Sequence, residues 1–200
     1  MNADTTRPPE WAEALLRLSL KSTDRENVSG DLLEEYRGSI VPSRGKAAAD
    51  RWYVRQVTGF VWRATWVWAL VFSGAFLART LYDWLVPTTD FQVRAEVSTY
   101  IGIVTLLSIG LWAGWRSRSL VAGVLTTVVA SQIAAVISAA GGGLLFVLLD
   151  TPELRREIAA SGGLDEVFFL PFMMILPAVI LGTLGGAVGG LGRRLLRIAQ

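Results

Sequence analysis

Adjacent carboxylates occur at Glu34-Glu35 and at Asp165-Glu166, and paired acids are the residue type here that could divide the roles of proton donor and acceptor. Their spacing works against that chemistry. Neighbours in sequence point to different faces of a helix, and nothing around either pair suggests a tuned pKa. The chain has no His and no Cys. A histidine base, a Ser–His–Asp triad, a thiol nucleophile and a disulfide are therefore excluded. A metal would find only carboxylates and carbonyls, which suit hard cations. Gly45-Lys46 looks like the end of a phosphate loop, but Ala47 follows it and Ile40 stands where the first glycine belongs. No Walker A loop is present. The expectation is a protein that is not an enzyme, with no catalytic residue, no cofactor and no metal site.

The remaining polar residues of interest stand in apolar surroundings. Arg79 is a charge within a hydrophobic stretch, near its outer end. It can snorkel to the interface, or pair with Asp83 four residues on. Gln132, beside Ser131, is the candidate for a polar contact inside a helix bundle. Both are treated as candidate intramembrane polar residues.

The elements that must position these residues are long apolar runs. No charged residue occurs in 97–115, 119–149 or 167–192, and a further stretch covers 64–78. A helix needs about 20 apolar residues to cross a bilayer. Charged residues make up 18% of the chain against about 25% in soluble domains, and mean hydropathy is +0.44. The expected fold class is all-α, a polytopic membrane protein with four transmembrane helices (about 62–84, 97–115, 119–141 and 167–191) behind a small cytoplasmic helical hairpin.

Arg44, Lys46, Arg51, Arg55 and Arg63 precede the first span, Arg116 and Arg118 join the second to the third, and Arg193, Arg194 and Arg197 follow the fourth. Lys and Arg beside spans favour the cytoplasm, so both termini are expected inside, with two short loops outside. The tryptophans cluster at the expected span ends, as interfacial anchors do. The basic groups hug the membrane and read as topology and anionic-lipid contacts, not as a nucleic-acid site. Residues 1–9 read as a disordered lead-in without a signal-peptide core. Stretch 119–149 is over-long for one span, and Gly141, Gly142 and Gly143 offer a break. Thr151-Pro152 then reads as the start of a short external helix over about 152–160.

Small residues four apart let helices approach closely in lipid. Gly182, Gly186 and Gly190 form one such row, Gly185 and Gly189 a second, Gly110 and Gly114 a pair, and Gly74 with Ala78 a weaker one. They serve packing within the bundle or a homo-oligomer interface. Pro171 and Pro177 are expected to bend the fourth helix.

Ahead of the spans, Glu10–Leu20 has helical periodicity, with Trp11, Leu15 and Leu18 on one face. Arg25–Val28 reads as a turn. Ser29-Gly30-Asp31 opens a second helix with Leu32, Leu33, Tyr36 and Ile40 as its apolar face, ended by Pro42. A third helix runs from Lys46 into the first span. The candidate partner-docking residues are Asp31, Leu33, Glu34, Glu35 and Tyr36.

Three runs carry a resemblance: Trp11-Ala-Glu-Ala-Leu-Leu-Arg-Leu, Asp24-Arg-Glu-Asn-Val-Ser-Gly-Asp-Leu-Leu-Glu-Glu-Tyr-Arg37, and Asp50-Arg-Trp-Tyr-Val-Arg-Gln56. Over about residues 10–57 the chain resembles the permease prefix domain of the second type, a helical module at the N-terminus of macrolide-exporter-like bacterial permeases. The resemblance implies a bacterial inner-membrane location and a permease context, often near regulators of the PadR type. It carries over no catalytic residue. The expected outside loops are too short for the extracytoplasmic domain of such permeases, so the expectation is a prefix module and four helices without that core. The functional expectation is a non-catalytic accessory or regulatory membrane protein whose module docks a cytoplasmic regulator. The alternatives are a small transporter or permease subunit working with an exporter ATPase, and a structural protein that oligomerises. The bilayer itself is the remaining partner.

Overall fold

The computed structural model describes residues 7–21, 23–85, 91–149 and 172–198, with short pieces at 151–152, 155–156, 159 and 168–169. Within these, the side chains of Asp83, Trp84, Phe91, Arg94, Ala95, Ser98, Arg194, Leu196, Arg197 and Ile198 are outside the description. Every regular element among the described residues is helical. They are α1 (Glu10–Ser19), α2 (Arg25–Glu35), a π turn (Tyr36–Ile40), α3 (Val41–Arg44), α4 (Lys46–Leu85), α5 (Phe91–Ser117), α6 (Leu120–Leu148) and α7 (Ile175–Ile198).

Among the described residues, three helical segments are long and apolar enough to cross a membrane: Lys46–Tyr82, Leu120–Leu148 and Ile175–Arg193. The 40 residues of α4 make a rod of about 60 Å, twice the roughly 30 Å of a hydrocarbon core. Its N-terminal part has other work. Ala49, Tyr53 and Val57 join Ala12, Leu16 and Leu20 of α1 and Leu32, Tyr36 and Ile40 of the α2 region in one apolar cluster. The module's core is thus made by three helices, not by a two-helix hairpin alone.

Several boundaries differ from the sequence reading. Arg25–Val28 is not a separate turn; α2 begins at Arg25, and the Val28 N–H already donates to Asp24 O at 3.0 Å. Pro42 does not end the helix. The π turn ahead of it widens the ladder, with the Val41 N–H reaching Tyr36 O, and Pro42 falls in the first turn of α3, where a missing N–H costs little. Gly45, at φ 74°, stops the helix instead. Gly141, Gly142 and Gly143 do not break α6, whose 29 residues run about 43 Å to Leu148. Pro177 lies in the first turn of α7, a position that tolerates proline without a kink. Pro171 lies outside the described residues. Arg7–Pro9 is not a loose lead-in: Pro8 is buried, and Arg7 O sits 3.1 Å from the Tyr36 hydroxyl. Residues 1–6 lie outside the description. Of the expected external helix, Pro152, Arg155, Arg156 and Ala159 are helical, and the Arg155 N–H donates to Thr151 O at 3.1 Å; the rest of 152–160 lies outside the description.

α7 packs chiefly along α5 and then along α6, while α4 leans on α6 and touches α5 only briefly. The inward face of α6 is built from small residues alone: Ala122, Gly123, Thr126, Thr127, Ala130, Ser131, Ala134, Ala135, Ser138 and Gly142 are buried. Leu120, Val121, Val136, Leu144, Val147 and Leu148 are exposed, and its other large residues, such as Leu125 and Val128, are half-buried at the edges of that face. This inversion of the soluble pattern suits association by close backbone approach in lipid. Phe72, Phe76, Leu106 and Ala178 fill the space beside Ala134. α5 and α6 are joined by a two-residue turn. Arg118 takes a left-handed φ of 56° and its N–H donates to Gly114 O at 2.8 Å, while Ser119 caps α6 by accepting from the Ala122 N–H at 3.4 Å.

Candidate functional site

Tyr36 is the hub of the N-terminal module. Its ring is fully buried and meets Tyr53 edge-on at 5.7 Å. Its hydroxyl donates to Asp50 Oδ1 at 2.5 Å, and Lys46 Nζ donates to both oxygens of Asp50 at 2.6 and 2.7 Å. Burial, then the hydrogen bond to Asp50, raises Tyr36 above the ordinary phenol value. Tyr36 therefore holds the module together and is not part of a docking surface, because a fully buried ring offers nothing to a partner.

Asp31, Glu34 and Glu35 are exposed, and Leu33 is half-buried. Leu33 lies at the floor of a shallow depression with Gly30, Glu34, Arg37 and Gly38. Gly30 and Gly38 have open space where a Cβ would stand, so this face is smooth and uncovered. Of the five expected docking residues, Leu33 and Glu34 share this depression, while Asp31 and Glu35 lie one turn apart on another exposed stripe of α2.

Tyr53 is 0% exposed, and its hydroxyl has no hydrogen-bond partner among the described residues. A buried orphan hydroxyl costs about 1–3 kcal/mol, so Tyr53→Phe is expected to raise Tm by about 2–12 °C. A lower Tm in thermal melts of the two proteins would mean that the hydroxyl is bonded through water.

α1 runs beside α4 in the same sense, from Arg7 near Asp50 to Leu18 and Ser19 near Ala64. Its end meets the start of α6 around Ala122, Leu125 and Thr126. There the module is tied to the bundle. Arg25 Nη2 donates to Ser117 O at 3.2 Å, and Arg193 Nη1 donates to Trp115 O at 2.7 Å and Arg116 O at 3.1 Å. These carbonyls are the orphan acceptors at the negative end of α5, where cations are stabilising. Arg116 stacks over Trp112 at 5.1 Å, and Trp112 meets Trp68 edge-on at 5.8 Å.

The glycines are brought together within the chain. A Cβ on Gly110 would stand 2.9 Å from the Cα of Gly182, and one on Gly114 2.6 Å from the Cα of Gly186. Row Gly182–Gly186 also faces α6, at Thr127 and Gly123, while Gly185 and Gly189 face Leu107 and Leu111 of α5. Both rows on α7 thus meet α5, and the Gly182–Gly186 row meets α6 as well. Gly190 is looser, its nearest neighbour Gly114 O at 4.0 Å, and Gly74 meets nothing within 4 Å. Gly123 was missed in the sequence, although the run of small residues four apart from Ala122 and from Gly123 along α6 marks it.

The buried hydroxyls bond their own helices, as Thr127 Oγ1 does to Gly123 O at 2.8 Å and Ser131 Oγ to Val128 O at 2.9 Å. Gln132 Nε2 is buried and has no hydrogen-bond partner among the described residues. Arg79 is half-buried, and the Asp83 side chain expected beside it lies outside the description. Two pockets between described residues where the module meets the bundle hold about 20 and 10 Å³, space for a water molecule at most. No known protein family, curated protein or solved structure matches this chain.

Proposed function

We propose that this chain is a non-catalytic accessory or regulatory protein of a bacterial inner membrane. In this reading it spans four times, with α5 as the remaining span and both termini in the cytoplasm, and its permease-prefix-like module docks a cytoplasmic partner. The observation that carries the reading is the continuity of α4. One helix supplies Ala49, Tyr53 and Val57 to the module core and then Phe72 and Phe76 to the bundle core. A partner seated on the Leu33 face would therefore load a rod that enters the membrane. The exposed acids of α2, Glu34 beside Leu33 and Asp31 with Glu35 on the neighbouring stripe, favour a partner with a basic surface.

Purification from native membranes in mild detergent, with mass spectrometry of what comes along, tests this. A stoichiometric cytoplasmic regulator that is lost on Leu33→Asp, with the bundle's melting unchanged, is the expected result. A nucleotide-binding ATPase in its place would support a permease subunit of an exporter. Recovery of the chain with copies of itself alone would support a structural oligomer.

A further inference from the structure

We infer that the cleft between α1 and α2, beside the contact of Arg25 with the end of α5, is a phosphate-binding site at the inner membrane surface. A cavity of about 410 Å³ there is lined by Arg17, Arg25, Glu26, Ser29, Gly30 and Leu33. Its depth relative to the membrane follows from Arg25, which is bonded to Ser117 O at the end of α5, next to Trp112 and Trp115. Tryptophans of that kind sit at the headgroup level.

Three features point to an anion with several acceptor oxygens. Ser29 is 5% exposed, lines the cavity, and its hydroxyl makes no hydrogen bond among the described residues. Arg25 Nε is buried and likewise without a hydrogen-bond partner among them, although the same guanidinium is held in place through Nη2. Arg17 reaches Glu13 through one nitrogen at 2.8 Å and keeps further N–H donors. A planar guanidinium matches phosphate oxygens in pairs, and a buried donor left unmade is costly. A Cβ at Gly30 would meet nothing, so that wall is open to entry.

The cavity also contains its own selectivity element. Glu26 is a carboxylate acceptor beside the two guanidinium groups. A phosphodiester whose headgroup carries a hydroxyl would give its oxygens to Arg17, Arg25 and Ser29, and its hydroxyl to Glu26. The same phosphate chemistry could come from a glycerophospholipid of the inner leaflet or from soluble phosphate. The inner-leaflet side rests on the topology proposed above, and the cavity shares Gly30 and Leu33 with the docking face, but its phosphate readout is separate from the recovery of a protein partner.

The test uses the full chain in nanodiscs. Thermal melting is compared in phosphatidylcholine alone, with added phosphatidylglycerol, and in phosphatidylcholine with inorganic phosphate. Ligand binding to the folded state alone should raise Tm by about 5–10 °C at saturation. The double variant Ser29→Ala with Arg17→Gln should lose at least half of that shift, and Arg63→Gln, an exposed cation elsewhere on α4, should keep it. Ser29→Ala alone changes little volume and covers the case in which the double variant fails to fold. A shift with phosphatidylglycerol assigns the source to the lipid, and one with inorganic phosphate assigns it to solution. No shift with either, or a shift that Ser29→Ala and the double variant both leave intact, overturns the inference.

Discussion

Gly114→Leu is expected to lower Tm by about 8–16 °C, while Gly74→Leu leaves it within about 2 °C. The two glycines differ in what a side chain would strike. At Gly114 the first carbon alone would stand 2.6 Å from Gly186 Cα and 2.9 Å from its carbonyl carbon. Both are backbone atoms of α7, so no rotamer change relieves the clash and the helices must separate. Overpacking typically costs 1–3 kcal/mol even where side chains can yield, and a leucine here should cost about 4 kcal/mol or more. The loss would spread, because Gly186 is also where α7 meets Leu120 and Gly123 of α6. At Gly74 nothing lies within 4 Å. Thermal melts of the two variants in one detergent decide the matter. Equal melting temperatures, with Gly114→Leu reducing only the oligomer fraction, would assign the glycines to contacts between copies.

The parts of this fold that were legible in the sequence are those written in residue size and charge. Apolar length marks the membrane helices, and glycines four apart on α7 mark a close-packed face, as Gly182 and Gly186 illustrate. What spacing could not give is which neighbour each row meets. Gly182–Gly186 and Gly185–Gly189 lie about a sixth of a turn apart; the first row is wedged between α5 and α6 and the second faces α5 alone, and that follows from three-body packing. Helix ends near Pro42 were misread for a local reason. Proline rules assume an α-helical ladder, and the π turn at Tyr36–Ile40 removes the clash they count on. Tyr36 was read as one of an apolar face available to a partner. Its true partners, Asp50 and Arg7, lie 14 and 29 residues away, beyond the reach of periodicity. Arg25 is similar: as a helix-start residue it looks solvated, yet its partner is a carbonyl 92 residues on.

Leu16→Ala is expected to melt the module and leave the bundle folded. Leu16 is 0% exposed at the centre of a cluster of nine buried residues drawn from α1, the α2 region and α4. Truncating such a leucine costs about 2–5 kcal/mol, and a core this small has little reserve. Amide hydrogen exchange should therefore rise roughly 30-fold or more across 10–44, for a loss of about 2 kcal/mol. Amides of Ala130–Ser138 should be unchanged, since that part of α6 lies beyond the residues that α1 meets and packs through small residues. The informative region is Ala49–Val57. If α4 stays protected there after α1 has peeled away, the rod is intrinsically helical, and the module is a removable clasp upon it. If protection is lost as far as Phe72, the clasp and the span form one cooperative unit. In that case, binding at the Leu33 face would be felt inside the membrane without any hinge.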